Sequence, residues 1–148
     1  MQVEKYQFKK GIEKYFFEFN SEGPKGVIKK VVQYQSIKGY NNTVFNLAFG
    51  EWDDTKKKIN DKTVSNNADR EKILATVAAT VIQFMEEHPY AIIIAVGSTP
   101  SRTRLYQMGI SKYWKEISHL FAIKGYRNSA WENFQQGTNY EGFLLMSR

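Results

Sequence analysis

The sequence predicts an α+β fold: an antiparallel β-sheet of about five to seven strands with two main helices packed mainly on one face. Three observations point there. Early in the chain, short aromatic and β-branched segments alternate with turns rich in Gly, Asn and Pro, the pattern of consecutive hairpin strands. From Ala68 to Glu87 the apolar residues recur at helical spacing instead. From Ala91 to Val96 six apolar residues run without alternation, three of them isoleucines, which fit a pleated backbone better than a helix.

In chain order, residues 6–10 alternate weakly and predict an edge strand. Residues 15–19 place Tyr15, Phe17 and Phe19 on one face, with Phe16 and Glu18 on the other. Asn20 to Gly26 is dense in turn residues. Residues 27–35 resume a strand that divides into Val27, Lys29, Val31, Gln33 and Ile28, Lys30, Val32, Tyr34. Both faces are mixed, which places this strand near an edge or on an open face, in a hairpin with the strand before it. After a turn at Lys38–Asn42, residues 43–49 direct Phe45, Leu47 and Phe49 inward. Asp53, Asp54, Asn60 and Asp61 lack the spacing and closing bidentate Glu of an EF-hand, so they read as a solvated hairpin tip and not as a metal site. Lys62–Ser65 reads as a short return strand.

Asn66, Asn67 and Asp69 supply helix-start chemistry, and His88–Pro89 ends that helix. Its stripe of Ile73, Val77, Val81 and Phe84, with Leu74, Ala78, Ile82 and Met85 beside it, suits a helix that covers a sheet. His88 reads as a C-terminal residue favoured by the helix dipole. The unbroken run Ala91–Val96 reads as a strand covered on both faces. Gly97 ends it, Ser98 or Thr99 caps a second helix, and Pro100 takes the first helical position, where its missing N–H costs nothing. That helix is expected to break at Gly109, with Ser111 capping a further segment over 112–120. Leu120–Ile123 begins another strand, ended by Gly125. Residues 127–142, polar with isolated aromatics, are expected to form a loop or mobile segment before a final strand at Phe143–Met146. Residues 1–148 read as a single domain without internal repeats.

The composition excludes several classes. With no cysteine there is no disulfide framework, thiolate metal site or cysteine nucleophile. Met1–Lys5 begins no apolar run, so no secretory leader is expected, and no segment approaches a membrane span. A soluble, cytoplasmic protein is the resulting expectation. Lys and Arg number 21 against 15 Asp and Glu, a net charge of +6, which favours acidic partners. The densest basic run, Lys56–Lys58 with Lys62, reads as a solvated loop.

One stretch has the chemistry of an anion site. The strand, the hydroxyl-rich loop and the helix after it aim free N–H groups and the positive dipole end into the loop. Arg102 and Arg104 add cations where a helix favours acids. They ask for a compensating anion. It is either a ligand phosphate or carboxylate held by Ser98, Thr99, Ser101, Arg102 and Arg104, or an acidic side chain from elsewhere in the fold. The phosphate-loop pattern G-x-x-x-x-G-K-[ST] is absent.

Phe45–Gly50, Val64–Asp69, Leu74–Thr80 and Gly97–Tyr106 together resemble a family of short bacterial proteins, mostly from Bacteroidetes, known only as a domain of unknown function. The resemblance runs from about Tyr15 to Tyr126 and implies a common fold, with no activity to carry over. The hairpin of Phe16–Phe19 and Lys25–Lys30 resembles those of PUR and Whirly single-strand-binding proteins, which use a curved antiparallel sheet followed by a helix.

Three functions are compatible with these features. The first is a single-strand nucleic-acid-binding module. In it Lys25, Lys29 and Lys30 track phosphates on an aromatic sheet face that includes Tyr34, and the arginine loop assists. The second is an enzyme or binding protein for a small phosphorylated or carboxylated ligand at Ser98–Arg104. His88 and His119 stand in ordinary places and no nucleophile elbow or metal motif is present. No catalytic residue is assigned, no cofactor or metal is expected, and the balance leans away from an enzyme. The third is a non-catalytic interaction module, a homo-oligomer included, with Trp52, Trp114 or Trp131 as contacts.

Overall fold

The structure, a computed structural model, describes residues 4–11, 15–60 and 66–148. Its elements in chain order are β1 (Lys9–Lys10), β2 (Phe16–Gly23), β3 (Gly26–Ser36), β4 (Val44–Asp53), β5 (Lys58–Asn60), α1 (Arg70–Glu87), β6 (Ile92–Ala95), α2 (Pro100–Lys112), α3 (Trp114–Leu120), β7 (Phe121–Arg127), β8 (Ala130–Asn133) and β9 (Gly142–Ser147). The class is α+β, as expected. The described residues form nine strands in one sheet, more than the five to seven anticipated, in the order β1-β2-β3-β4-β6-β9-β7-β8 with β5 also on β4. The expected edge strand within residues 6–10 is present as β1, shortened to Lys9–Lys10; the unforeseen strands β5 and β8 have three and four residues, too few for alternation to register. The expected return strand at Lys62–Ser65 lies outside the described residues.

Every described pairing is antiparallel except β4 with β6, which run parallel and are joined through α1. A parallel pair needs such a crossover, because a hairpin can join only antiparallel strands. Alternation then assigns the faces. Phe17, Phe19, Val32, Tyr34, Phe45, Leu47, Phe49, Ile93, Ile123, Phe143 and Leu145 point at the helices and form the core with Ile73, Leu74, Ala78, Phe84 and Met85 of α1. Burying each large side chain contributes roughly 1.5–3 kcal/mol. Tyr34 stacks on Phe84 with centroids 4.2 Å apart, and its hydroxyl meets Thr80 Oγ1 at 2.9 Å. A cavity of about 60 Å³ with an apolar lining remains between α1, α2 and the sheet, bordered by Leu74, Leu105, Gly109 and Ile110.

Several expectations are corrected. The helices cover one face only, so Ile92 and Ile94 on the other face are half-buried, where the unbroken run had implied full cover on both sides. Of the two places expected for strand β3, an edge or an open face, the second holds: it lies between β2 and β4, with Lys29 exposed on the face opposite the helices. α2 does not break at Gly109 but continues to Lys112, held by buried Ile110. Part of 127–142 is a hairpin strand: Asn128 and Ser129, at φ of 52° and 62°, turn β7 into β8 as a two-residue I′ turn requires. Asp69 stands at the N-cap of α1 but makes no side-chain cap bond. Its Oδ2 instead accepts from Tyr6 Oη and Ser21 Oγ, each at 2.5 Å. Asn67, 1% exposed, bonds the tip of the β2–β3 hairpin: Oδ1 accepts from Lys25 N at 2.7 Å, and Nδ2 donates to Ser21 Oγ at 3.1 Å and Gly26 O at 3.0 Å. These residues fasten the first hairpin to the start of α1.

Candidate functional site beside strand β4

Strand β4 has ten residues, and its two edges are used unequally. On one edge β3 pairs continuously from Phe45 to Glu51. On the other, β6 pairs Val44–Asn46 and β5 pairs Glu51–Asp53. Among the described residues, no strand pairs Leu47–Gly50 on that second edge. Beside this stretch β6 leaves the sheet for α2.

A cleft of about 470 Å³ lies between the β4–β5 hairpin and the β6–α2 junction. Gln33, Gln35, Asn46 and Trp52 line it from the uncovered face, Lys57 and Lys58 from the β4–β5 hairpin, and Ser98, Arg102 and Tyr106 from the β6–α2 junction. Phe16 packs edge-on against Trp52 at 5.7 Å, and Lys29 Nζ lies 5.6 Å from the Trp52 ring centroid. The indole Nε1 donates to Asp54 Oδ1 at 2.9 Å, which fixes the ring against the hairpin. The run Lys56–Lys58 is exposed at the hairpin, as expected of a solvated loop, and Lys57 and Lys58 also line this cleft.

The β6–α2 junction is built as its sequence implies. Thr99 is the N-cap of α2, its Oγ1 accepting from Arg102 N at 3.2 Å, with Pro100 in the first turn. Thr103 Oγ1 accepts from Gly97 N at 3.0 Å and donates to Thr99 O at 3.3 Å. The predicted anion residues nonetheless diverge. Arg102 is 5% exposed and lies over Phe49, its Cζ 5.1 Å from the ring centroid. Arg104 is exposed and faces a second cleft, beside Gln107, Asn139 and Glu141. Thr99 is used by the cap, and Ser101 is exposed. Ser98 borders both clefts.

The residues proposed for a nucleic-acid face divide as well. Lys29 lies on the uncovered face, where it also reaches Glu18 at 3.5 Å. Lys25 is exposed at the hairpin tip. Lys30 and Tyr34 belong to the opposite, covered face and are 3% and 1% exposed, so neither can meet a ligand laid on the open face. Lys30 Nζ approaches Glu51 at 3.6 Å and the Phe49 ring at 6.0 Å. Burial lowers its pKa from the ordinary lysine range; Glu51 opposes that shift and the charge of Arg102 adds to it. Tyr34 is pushed above the ordinary tyrosine value by burial. His88 sits at the C-cap of α1 with Nδ1 2.9 Å from Phe84 O and its ring stacked on Phe84, a structural placement. Among the described residues no group of three His, Asp or Glu side chains is arranged to hold a metal, and no helix is long and apolar enough to cross a membrane.

Sequence reasoning missed the grouping of Trp52 with Lys57 and Lys58. No local pattern signals it, because the strand order brings the β6–α2 junction to these residues.

Residues 2–148 match the family described as "Family of unknown function (DUF6934)", and the chain belongs to that family. No curated protein and no solved structure matches it.

Proposed function

We propose that this chain binds single-stranded nucleic acid, with the cleft between the β4–β5 hairpin and the β6–α2 junction as the place where phosphates and bases meet the protein. One observation carries the reading: the cleft joins Lys57 and Lys58 to the Trp52 ring and to the amides of Gln33, Gln35 and Asn46, with buried Arg102 in its wall. Cations supply the attraction to a phosphate backbone, and an aromatic ring offers a stacking surface that suits any base. The net charge of +6 acts in the same direction. Lys29, now over Trp52, would yield the ring to a base and move to a phosphate. A second reading uses the same cleft for a small phosphorylated or carboxylated ligand. Its volume favours this, since small-molecule sites run from about 300 to 1,000 Å³.

Fluorescence anisotropy of a labelled single strand across a salt series separates the two. The expected result is salt-sensitive binding. Lys57→Ala/Lys58→Ala should flatten the slope of log K against log salt by about 0.7 for each phosphate no longer neutralised. Trp52→Ala should weaken binding by about 1–3 kcal/mol. No binding at low ionic strength, or binding indifferent to these substitutions, overturns the nucleic-acid reading. Thermal stabilisation by a mononucleotide alone would then favour the small ligand.

A further inference from the structure

We infer that the uncovered face of the sheet is the interface of a symmetric dimer, occupied by a second copy of this chain. The register places six side chains in one row across six strands: Gln35, Asn46, Ile94, Leu144, Lys124 and Asn133. The row reads polar, polar, apolar, apolar, polar, polar. Beside it runs a second row, Val44, Ile92, Met146 and Ala122, apolar throughout. Ile92, Ile94, Leu144 and Met146 are half-buried, whereas their neighbours Ile93 and Leu145 on the helix face are buried.

Such a face is complementary to itself. A two-fold axis parallel to the strands and passing between β6 and β9 sets Ile94 against Leu144 of the second copy and Ile92 against its Met146. The same axis sets Asn46 against Lys124 and Gln35 against Asn133. Lys124 is the single charge in these two rows, and the two-fold brings it to an amide and never to another lysine. Apolar centre, polar rim and self-complementarity are what an isologous contact requires. Two twisted sheets stack in this way with their strands within about 30° of each other. The unbroken Ile92–Ala95 strand then acquires the two-sided cover that its composition demands. The central rows hold no aromatic ring and one cation, which suits a protein surface better than a nucleic-acid strand. Gln35 and Asn46 border the cleft, but its lysines and Trp52 stay outside these rows, so the dimer and the ligand can be tested separately.

The test is sedimentation of the full chain over a concentration series. The parent is expected to reach twice the 17.2 kDa chain mass. Ile94→Lys and Leu144→Glu should each sediment as monomers with unchanged circular dichroism. An equimolar mixture of the two should recover the dimer, because the introduced ammonium and carboxylate face each other across the axis. Ala122→Arg, nearer the rim, serves if a central substitution unfolds the chain. A parent that stays monomeric at its highest soluble concentration overturns the proposal, as does a dimer that survives these substitutions or a mixture that remains monomeric. A parent that is monomeric but covers this face on adding an oligonucleotide, judged by protection of β6 and β9 from hydrogen exchange, gives the face to nucleic acid instead.

Discussion

Gly97 and Gly109 stand on either side of the first turns of α2 and respond oppositely to an added methyl group, because their surroundings differ. A Cβ on Gly97 would collide with Thr103 N and stand 2.7 Å from Arg102 Cβ, backbone and side chain of the helix that follows. Gly97→Ala is expected to force strand and helix apart and cost about 1–3 kcal/mol, the usual scale of overpacking. A Cβ on Gly109 meets only Leu74 Cδ2, at 3.4 Å. Gly109→Ala should therefore stabilise by about 0.5–1 kcal/mol, since Ala is the better helix residue. Paired thermal melts check both, and equal shifts of one sign would contradict this view of their packing. Tyr34 adds a pH dependence. Its folded pKa lies above the unfolded value, so its contribution to stability is complete below the ordinary tyrosine range and is lost as pH rises above it. Tyr34→Phe should cost about 0.5–1.5 kcal/mol at neutral pH, through the lost bond to Thr80. It should also soften the alkaline decline in stability seen by denaturant titration; an unchanged decline would show that Tyr34 does not titrate in that range. At this scale the sequence was legible where chemistry is local, as at Thr99 and Pro100. It was not legible for Asp69 and Asn67, whose capping chemistry is directed to residues more than forty positions away.

That diversion matters for elements. Asn67 closes the β2–β3 hairpin tip onto the entry to α1 with three hydrogen bonds. Asn67→Ala is expected to cost about 2–3 kcal/mol at roughly 1 kcal/mol per bond. The loss should appear as faster amide exchange at the hairpin tip, with α1 still helical by circular dichroism; uniform loosening of the whole sheet would argue against a local latch. Helix α1 was readable nearly to its ends, because eighteen residues give its apolar stripe many repeats. The extension of α2 was not. A glycine costs a helix about 1 kcal/mol, and burial of Ile110 beyond it outweighs that. Strand β8 was hidden for a related reason: Ala130, Trp131 and Asn133 are exposed, so no inward-facing apolar set marks it.

Over the whole molecule, the fold class and the single helical layer follow from composition and periodicity, while the strand order does not. Which strand lies beside β4 depends on contacts between residues 44–46 and 92–94, and no local pattern encodes that choice. The approach of the β6–α2 junction to the β4–β5 hairpin follows from the same choice. It is why Arg102 shares a cleft with Lys57, Lys58 and Trp52, and why Arg104 does not. Everything proposed for this protein's function depends on that cleft receiving a nucleic-acid strand, and Trp52 can report on it. In a Trp114→Phe/Trp131→Phe background, which leaves Trp52 as the sole tryptophan, emission is recorded while a short single-stranded oligonucleotide is added at low salt. Saturable quenching that salt reverses is the expected result. Emission from a folded protein that stays constant through the titration would contradict the assignment of the cleft to nucleic acid.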